Sequence, residues 1–249
     1  VRIEIPRCEP IDFPRQGIPL NPYLLGLLLG DGSLSGGSTP SFSTADTELL
    51  ASFTANGFGI GHHSKYDYTI TGMSDIITEL NINVKSAEKH IPSVYLFNAP
   101  DIRLSVLRGL MDTDGSVNKN GYCEYTSTSV QLTDGVRFLI NSLGGRVMQY
   151  KKSINHYQYK GETKDGQKSY RLAFATHFNP FSLKRKGDMW KPPIKNRNRR
   201  IKHIEYIGEL RTTCISTDAE DGLYLTKDCI VTHNTQMCMS FAGENIDSD

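Results

Sequence analysis

A nine-residue segment occurs twice in this chain. Leu24-Leu25-Gly26-Leu27-Leu28-Leu29-Gly30-Asp31-Gly32 returns as Leu107-Arg108-Gly109-Leu110-Met111-Asp112-Thr113-Asp114-Gly115, aligned without a gap and continued by Ser33-Leu34 and Ser116-Val117. Such a repeat points to one supersecondary unit used twice. Each copy reads as a helix ending in a turn. Asn21 can cap the first helix, with Pro22 at its first helical position. Asp101 can cap the second, which runs through Ile102–Leu107 into the motif. Gly32 and Gly115 are placed to stop the helices in a left-handed conformation. A glycine inside a helix costs about 1 kcal/mol relative to Ala. Gly26 and Gly109 therefore predict that the two helix backbones pack closely enough to offset that loss. Packed so, Asp31 and Asp114 meet at one end and repel unless a cation lies between them. Hard divalent cations take oxygen ligands, and Mg²⁺ retains waters that can attack phosphate.

Charge is divided unevenly along the 249 residues. Residues 1–145 carry 10 Lys/Arg against 15 Asp/Glu, residues 146–203 carry 16 against 3, and residues 204–249 carry 2 against 9. The basic stretch is interleaved with Tyr150, Tyr157, Tyr159, Tyr170, Phe174, Phe178, Phe181 and Trp190, so it reads as a folded basic surface for a polyanion. No apolar run reaches the length of a membrane span, so no membrane partner is expected. Five scattered cysteines, without a Cys-x-x-Cys pair, argue against a disulfide scaffold and for a reducing, cytoplasmic setting.

The two nonapeptides resemble those of the LAGLIDADG homing endonucleases, in the two-repeat, single-chain form. Ile18-Pro19-Leu20-Asn21-Pro22-Tyr23, Lys89-His90-Ile91-Pro92 and Phe138-Leu139-Ile140-Asn141-Ser142-Leu143-Gly144-Gly145 are similar to elements of that family's intein-borne branch. The resemblance implies an α+β fold of two pseudo-symmetric αββαββα repeats, about 18–100 and 101–200, with a saddle-shaped sheet on DNA. It implies Mg²⁺-dependent double-strand cleavage, with Mn²⁺ as substitute, by a monomer on a long, loosely palindromic site. Asp31 and Asp114 are then the metal-binding and catalytic carboxylates, helped by the main-chain carbonyls of Gly30 and Thr113. Lys89 is the catalytic lysine of the first repeat; Lys191, then Lys184, is the choice for the second. Lys151, Lys152, Lys184, Arg185, Lys186, Arg197, Arg199 and Arg200 are expected to contact phosphates.

Patterning agrees with that architecture. Asp46–Phe53 and Met73–Leu80 read as amphipathic helices, and Tyr66–Thr71 as a strand. In the second half Tyr122–Thr126, Arg146–Tyr150 and Tyr170–Ala175 read as strands and Val130–Leu143 as a helix.

A separate chemistry is legible near the end. Leu223-Tyr224-Leu225 and Ile230-Val231 lead to His233-Asn234-Thr235, which resembles the C-terminal splicing segment of inteins. Asn234 can attack its own carbonyl, His233 can assist the leaving amine, and Thr235 can accept the acyl group. Gly222 stands where a histidine is often found, and Cys214 is placed as an internal cysteine, with a buried small residue the alternative. The expected division is 1–17 as an N-terminal linker or remnant, 18–200 as nuclease, 201–234 as splice segment and 235–249 as a flanking host stub. A Gly-Lys-Thr loop of an ATPase is one candidate host. No N-terminal splicing half is read in the chain, so the expectation is either a natural C-terminal split half, with a separate N-terminal intein half as partner, or a truncated or processed piece. The rival reading is a DNA-binding module with an inactive nuclease, against which the presence of both Asp31 and Asp114 argues. A haloacid-dehalogenase-type phosphatase built on Asp112-Thr113-Asp114-Gly115 leaves the first copy unexplained.

Overall fold

The computed structural model describes residues 3–36, 39–159, 162–193, 198–206, 208–209, 211, 215 and 217–233. Its elements begin with β1 (Glu4–Ile5), α1 (Pro22–Asp31), β2 (Gly32–Ser33), β3 (Ser41–Ser43), α2 (Thr47–Ala55), β4 (Gly59–His62), β5 (Asp67–Thr71), α3 (Ser74–Glu79) and α4 (Ser93–Leu96). They continue with α5 (Pro100–Thr113), β6 (Gly115–Val117), β7 (Cys123–Ser127), α6 (Val130–Ser142), β8 (Arg146–Tyr159), β9 (Glu162–Ala175) and α7 (Lys184–Gly187). Last come β10 (Arg199–Arg200), β11 (Leu223–Thr226) and β12 (Ile230–His233). The chain forms two units, Pro10–Ile194 and a second one made of Val1–Glu9 with Lys195–Asp249. No helix among the described residues is long and apolar enough to cross a membrane.

Within Pro10–Ile194 each half runs helix, two strands, helix, two strands, helix. Both four-stranded sheets are antiparallel, and their orders, β2-β3-β5-β4 and β6-β7-β9-β8, follow the same scheme. This is an α+β arrangement. The helix α1 is apolar on every side and Leu24, Leu25, Leu27, Leu28 and Leu29 are all buried, as expected for a helix enclosed by protein. Phe42 and Phe53, with ring centroids 5.2 Å apart, and Ile70 fill the first half; Tyr125, Val136, Leu139, Leu172 and Phe174 fill the second.

Helix α1 packs on α5 through reciprocal glycines. A Cβ on Gly26 would lie 2.3 Å from the Val106 carbonyl oxygen and 2.8 Å from Gly109 Cα; one on Gly109 would lie 2.3 Å from the Tyr23 carbonyl oxygen and 2.8 Å from Gly26 Cα. The helical propensity lost at these positions is thus exchanged for backbone approach.

Several sequence expectations change. Asn21 caps α1 as expected, its side chain accepting from Tyr23 N at 2.9 Å. Asp101 does not cap α5: Ala99 is the capping residue, Pro100 takes the first helical position, and Asp101 pairs with Arg15 at 2.7 Å. Gly32 (φ −77°, ψ 135°) is extended, not left-handed, and Gly115 likewise opens a strand outside the positive-φ residues. Their lack of a side chain serves proximity instead, since a Cβ would meet Leu28 O at 2.4 Å or Met111 Cα at 2.6 Å. The segment from residue 10 to 17, expected as linker, is fastened down. Ile11 N donates to Ser142 O at 2.9 Å, and the fully buried Arg103 donates to the carbonyls of Ile11, Asn98 and Ser142. The strands β8 and β9, 14 residues each, run well beyond the segments that alternation predicts.

In the other unit β1 pairs with β10, β11 with β12, and Arg7 bridges to Ile230. The Leu-Tyr-Leu and Ile-Val runs are strands, as patterning predicts.

Candidate active site

The close helix contact carries residue 30 against residue 113, where a Cβ on Gly30 would overlap the Thr113 side chain. Asp31, last residue of α1, and Asp114, capping the C-terminus of α5, therefore stand at adjacent helix ends. Burial pushes both carboxyls above the usual carboxylate range. The neighbouring charge of Asp31 adds to this at Asp114, which is pushed up to about 6 although the residue is exposed at the cleft. Lys89 and Lys186 pull in the opposite direction on both carboxyls. Asp114 lines an open cleft of about 450 Å³ together with Gly30, Lys89, Ser127 and Gln167.

Behind each helix end sits one buried lysine. Lys89 Nζ donates to Gly32 O at 2.6 Å, Gly30 O at 2.9 Å and, more weakly, Leu28 O at 3.4 Å. Lys186 Nζ lies 2.7 Å from Asp112 O and Gly115 O, 2.9 Å from Met111 O and 3.1 Å from Thr113 O. The last turn of a helix leaves carbonyls without partners and carries partial negative charge, so an ammonium there satisfies both. Burial lowers both amines, Lys89 to about 8, while nearby carboxylates oppose that shift. Each lysine is held from elsewhere. Ser129, capping α6, donates its hydroxyl to Lys89 O at 2.6 Å. Asp112 accepts from Ser182 N and Leu183 N, both at 3.0 Å, and fixes the turn that opens α7. Its Oδ2 also accepts from Tyr23 Oη of α1 at 2.8 Å. Asp112 is thus committed to positioning, which removes it from the phosphatase alternative.

The lysine that occupies in the second half the place Lys89 occupies in the first is Lys186, and neither Lys191 nor Lys184 sits there. Lys191 is exposed, and Lys184 is exposed and paired with Asp188 at 2.7 Å. Lys186 in turn leaves the phosphate-contact set, because its amine is buried under four carbonyls. Sequence reasoning missed it because Lys184-Arg185-Lys186 offers three cations in a row and lacks the Ile-Pro that follows Lys89. In the rest of the basic set, Arg185 grips Asp46 through two hydrogen bonds, at 2.6 and 2.9 Å. Arg199 donates to Asp228 O and Arg200 pairs with Glu4. Lys151 and Lys152 are exposed on β8. Arg197, Cys214, Asn234 and Thr235 lie outside the described residues.

No group of three or more His, Cys, Asp or Glu side chains able to hold a metal gathers among the described residues. The donors present are two carboxylates and main-chain carbonyls, all hard oxygens, and the raised carboxyls are those a cation would relieve. This set fits Mg²⁺, which keeps much of its water shell when bound. Gly30 O and Thr113 O already accept from the lysines, so their second lone pairs are what they can offer a cation.

His233 ends β12 opposite Leu223. Gly222 (φ +63°) gives the missing histidine at that position a physical reason: a Cβ there would stand 2.8 Å from His233 Nε2.

Residues 101–174, spanning α5 almost to the end of β9, match a LAGLIDADG-like domain. That match supports a homing-endonuclease-type module that binds or cleaves DNA. The chain is also similar to a protein of Mycobacterium intracellulare named replicative DNA helicase DnaB, at 27% identity over 241 residues. The similarity takes in 93% of this chain, which spans 38% of that relative's length.

Proposed function

We propose that the Pro10–Ile194 unit is a site-specific endonuclease that makes double-strand breaks in DNA, its two halves related by a pseudo-two-fold axis and its sheets forming a saddle over the duplex. One observation carries the reading: two raised carboxyls at Gly-packed helix ends, each end clamped by its own buried lysine. Asp31 and Asp114 would hold Mg²⁺ or Mn²⁺, and a cation there supplies positive charge against the phosphate and makes a bound water more acidic. Lys89 and Lys186 are positioning residues. Their donors hold the helix-end carbonyls, and their charges pull both carboxyls down against the raising effect of burial. The exposed lysines of β8 supply affinity for the DNA backbone. The test is incubation of the protein, with and without Mg²⁺, with a plasmid carrying the uninterrupted host gene. Linear product only with metal supports the reading. Specific binding without cleavage under either condition supports the inactive-nuclease alternative.

We further propose that residues 201–234 are the C-terminal splicing segment of an intein, with Asn234 cyclising, His233 assisting and Thr235 accepting. The β11–β12 hairpin, which ends on His233, favours it. A helicase-type host is favoured by similarity across nearly the whole chain to about a third of a helicase. Mass spectrometry after mixing with a matching N-terminal half decides: release of residues 235–249 is expected, and Asn234→Ala should block it.

A further inference from the structure

In the unit formed by Val1–Glu9 and Lys195–Asp249, Arg7 bridges antiparallel to Ile230, and the next pair outward in that register is Cys8 and Cys229. The bridge sets its own Cα atoms about 4.5–5.5 Å apart, so the residues flanking it start near the span of about 4.4–6.8 Å that a disulfide closes. The side chains meet: a hydrogen bond links the sulfurs of Cys8 and Cys229. Neither is joined in a disulfide, and both are only partly buried, so a small reagent can reach them. Arg199, which donates to Asp228 O one residue before Cys229, brings a positive charge to the pair, while Glu9 adds an opposing negative one. Asp228 (φ +65°) and Cys229 (φ +53°) both hold left-handed conformations that non-glycine residues rarely adopt.

We propose that Cys8 and Cys229 form a redox-active dithiol site that exchanges with low-molecular-weight disulfides of the glutathione class and closes to an intramolecular disulfide. Cys8 is the attacking thiol. The hydrogen bond with Cys229 and the Arg199 charge lower it to about 7, so a large fraction is thiolate at neutral pH. The Cys8 thiolate displaces one thiol from the reagent disulfide and forms a mixed disulfide. Cys229 then loses its proton and displaces the second thiol. Two protein thiols and one reagent disulfide thus give one protein disulfide and two reagent thiols, and electrons balance without a further oxidant. The bond would tie residue 8 to the residue immediately before β12, the strand that ends on His233. This site is independent of both the cleavage and the splicing readings.

The experiment equilibrates the full chain with oxidised and reduced glutathione at stepped ratios, quenches with acid, alkylates the remaining thiols and maps peptides by mass spectrometry. A Cys8–Cys229 cross-linked peptide, with matched loss of alkylation at both positions, is expected. Cys123 is the internal reference: it is buried, with its thiol pushed up to about 12, and should react at least ~10-fold more slowly than Cys8. Cys229→Ser should trap glutathione on Cys8, because the resolving thiol is gone, whereas Cys8→Ser should leave Cys229 largely unmodified. In urea the preference for this pairing should disappear. Cross-links from Cys8 to Cys214 or Cys238 as the main product, or equal pairing with and without urea, would overturn the proposal.

Discussion

The two halves of Pro10–Ile194 share an element order and differ in what it is used for. Where they are alike, they hold the central helix pair: Gly26 and Gly109 at the crossing, Asp31 and Asp114 at the ends, Lys89 and Lys186 beneath them. Where they differ, they face outward. The second hairpin has strands of 4 and 5 residues in the first half but 14 and 14 in the second. Residues 18–99 hold three Lys/Arg against seven Asp/Glu, whereas residues 100–193 hold fifteen against eight. A composite site admits little change in the parts that meet, because one substitution disturbs both halves. The sheet ends tolerate more. A chain with two unlike arms is suited to an asymmetric polyanion, with the second arm supplying most of the charge.

The strongest test of the likeness is at the carboxylates. Asp31→Asn and Asp114→Asn should each reduce double-strand cleavage by ~10³-fold or more, since a cation's several kcal/mol of transition-state stabilisation is lost. DNA binding should stay near the parental level by gel shift. Cutting of both strands at the parental rate by either variant would separate the two halves functionally. The carboxyls also differ without metal. Asp114 titrates near 6 when folded and near 3.8 unfolded, so the folded state binds its proton more tightly. Its contribution is therefore favourable at low pH and is lost as pH rises from about 4 through 6. Asp114→Asn should raise the metal-free Tm at pH 8, with the gain vanishing towards pH 4.

Next in size is the lysine pair. Lys89→Met and Lys186→Met should each convert a linear product largely to a nicked one and cost about 1–3 kcal/mol of stability, because helix-end carbonyls lose their donor. Lys191→Met and Lys184→Met should leave both measurements near parental. Equal behaviour of all four variants would remove the parallel between Lys89 and Lys186.

The likeness was legible in the sequence because it is written in glycine and aspartate at fixed spacing. Gly26 and Gly109 have few reasons to interrupt a leucine-rich helix apart from close packing. Lys89 was legible because Ile91 and Pro92 follow it. Lys186 was not, since its role depends on Asp112 bending the 182–183 turn towards α5, an interaction across about 70 residues. The lengths of β8 and β9 were hidden for another reason: the polar stretch between Ile154 and Ser169 lacks the alternation of a half-buried strand. Gly32 and Gly115 were read for conformation when their use is proximity, which only the neighbouring turn reveals.

The unlike arms are tested by salt. Lys151→Gln and Lys152→Gln should each reduce the slope of log affinity against log salt by about 0.9 if they neutralise one phosphate. Lys65→Gln, beside the short first-half hairpin, should change it less. Fluorescence anisotropy over a salt series measures all three, and equal slopes would contradict the assignment of charge to the second arm.

The smallest expected effect concerns a position where the core itself breaks the likeness. Tyr125 pairs opposite Gly115, and Phe42 pairs opposite Gly32, so the two rings occupy the same place in their sheets. Both are fully buried. Only Tyr125 carries a hydroxyl, and that oxygen is buried without a well-formed hydrogen bond, with the Ser127 side chain as a loose partner and Asp114 and Asp31 close enough for it to feel their charge. An unsatisfied buried hydroxyl costs about 1–3 kcal/mol, part of which is recovered when a phenylalanine replaces it. Tyr125→Phe should therefore leave stability unchanged or raise it by up to ~1 kcal/mol, read from denaturant midpoints at constant slope. The reciprocal Phe42→Tyr should lower stability by about 1–3 kcal/mol, because it introduces the same hydroxyl into a site filled by Phe53. A clear loss of stability in Tyr125→Phe would mean that the hydroxyl is satisfied in solution, by Ser127 drawing closer, and that the second half carries one more polar group at the site than the first.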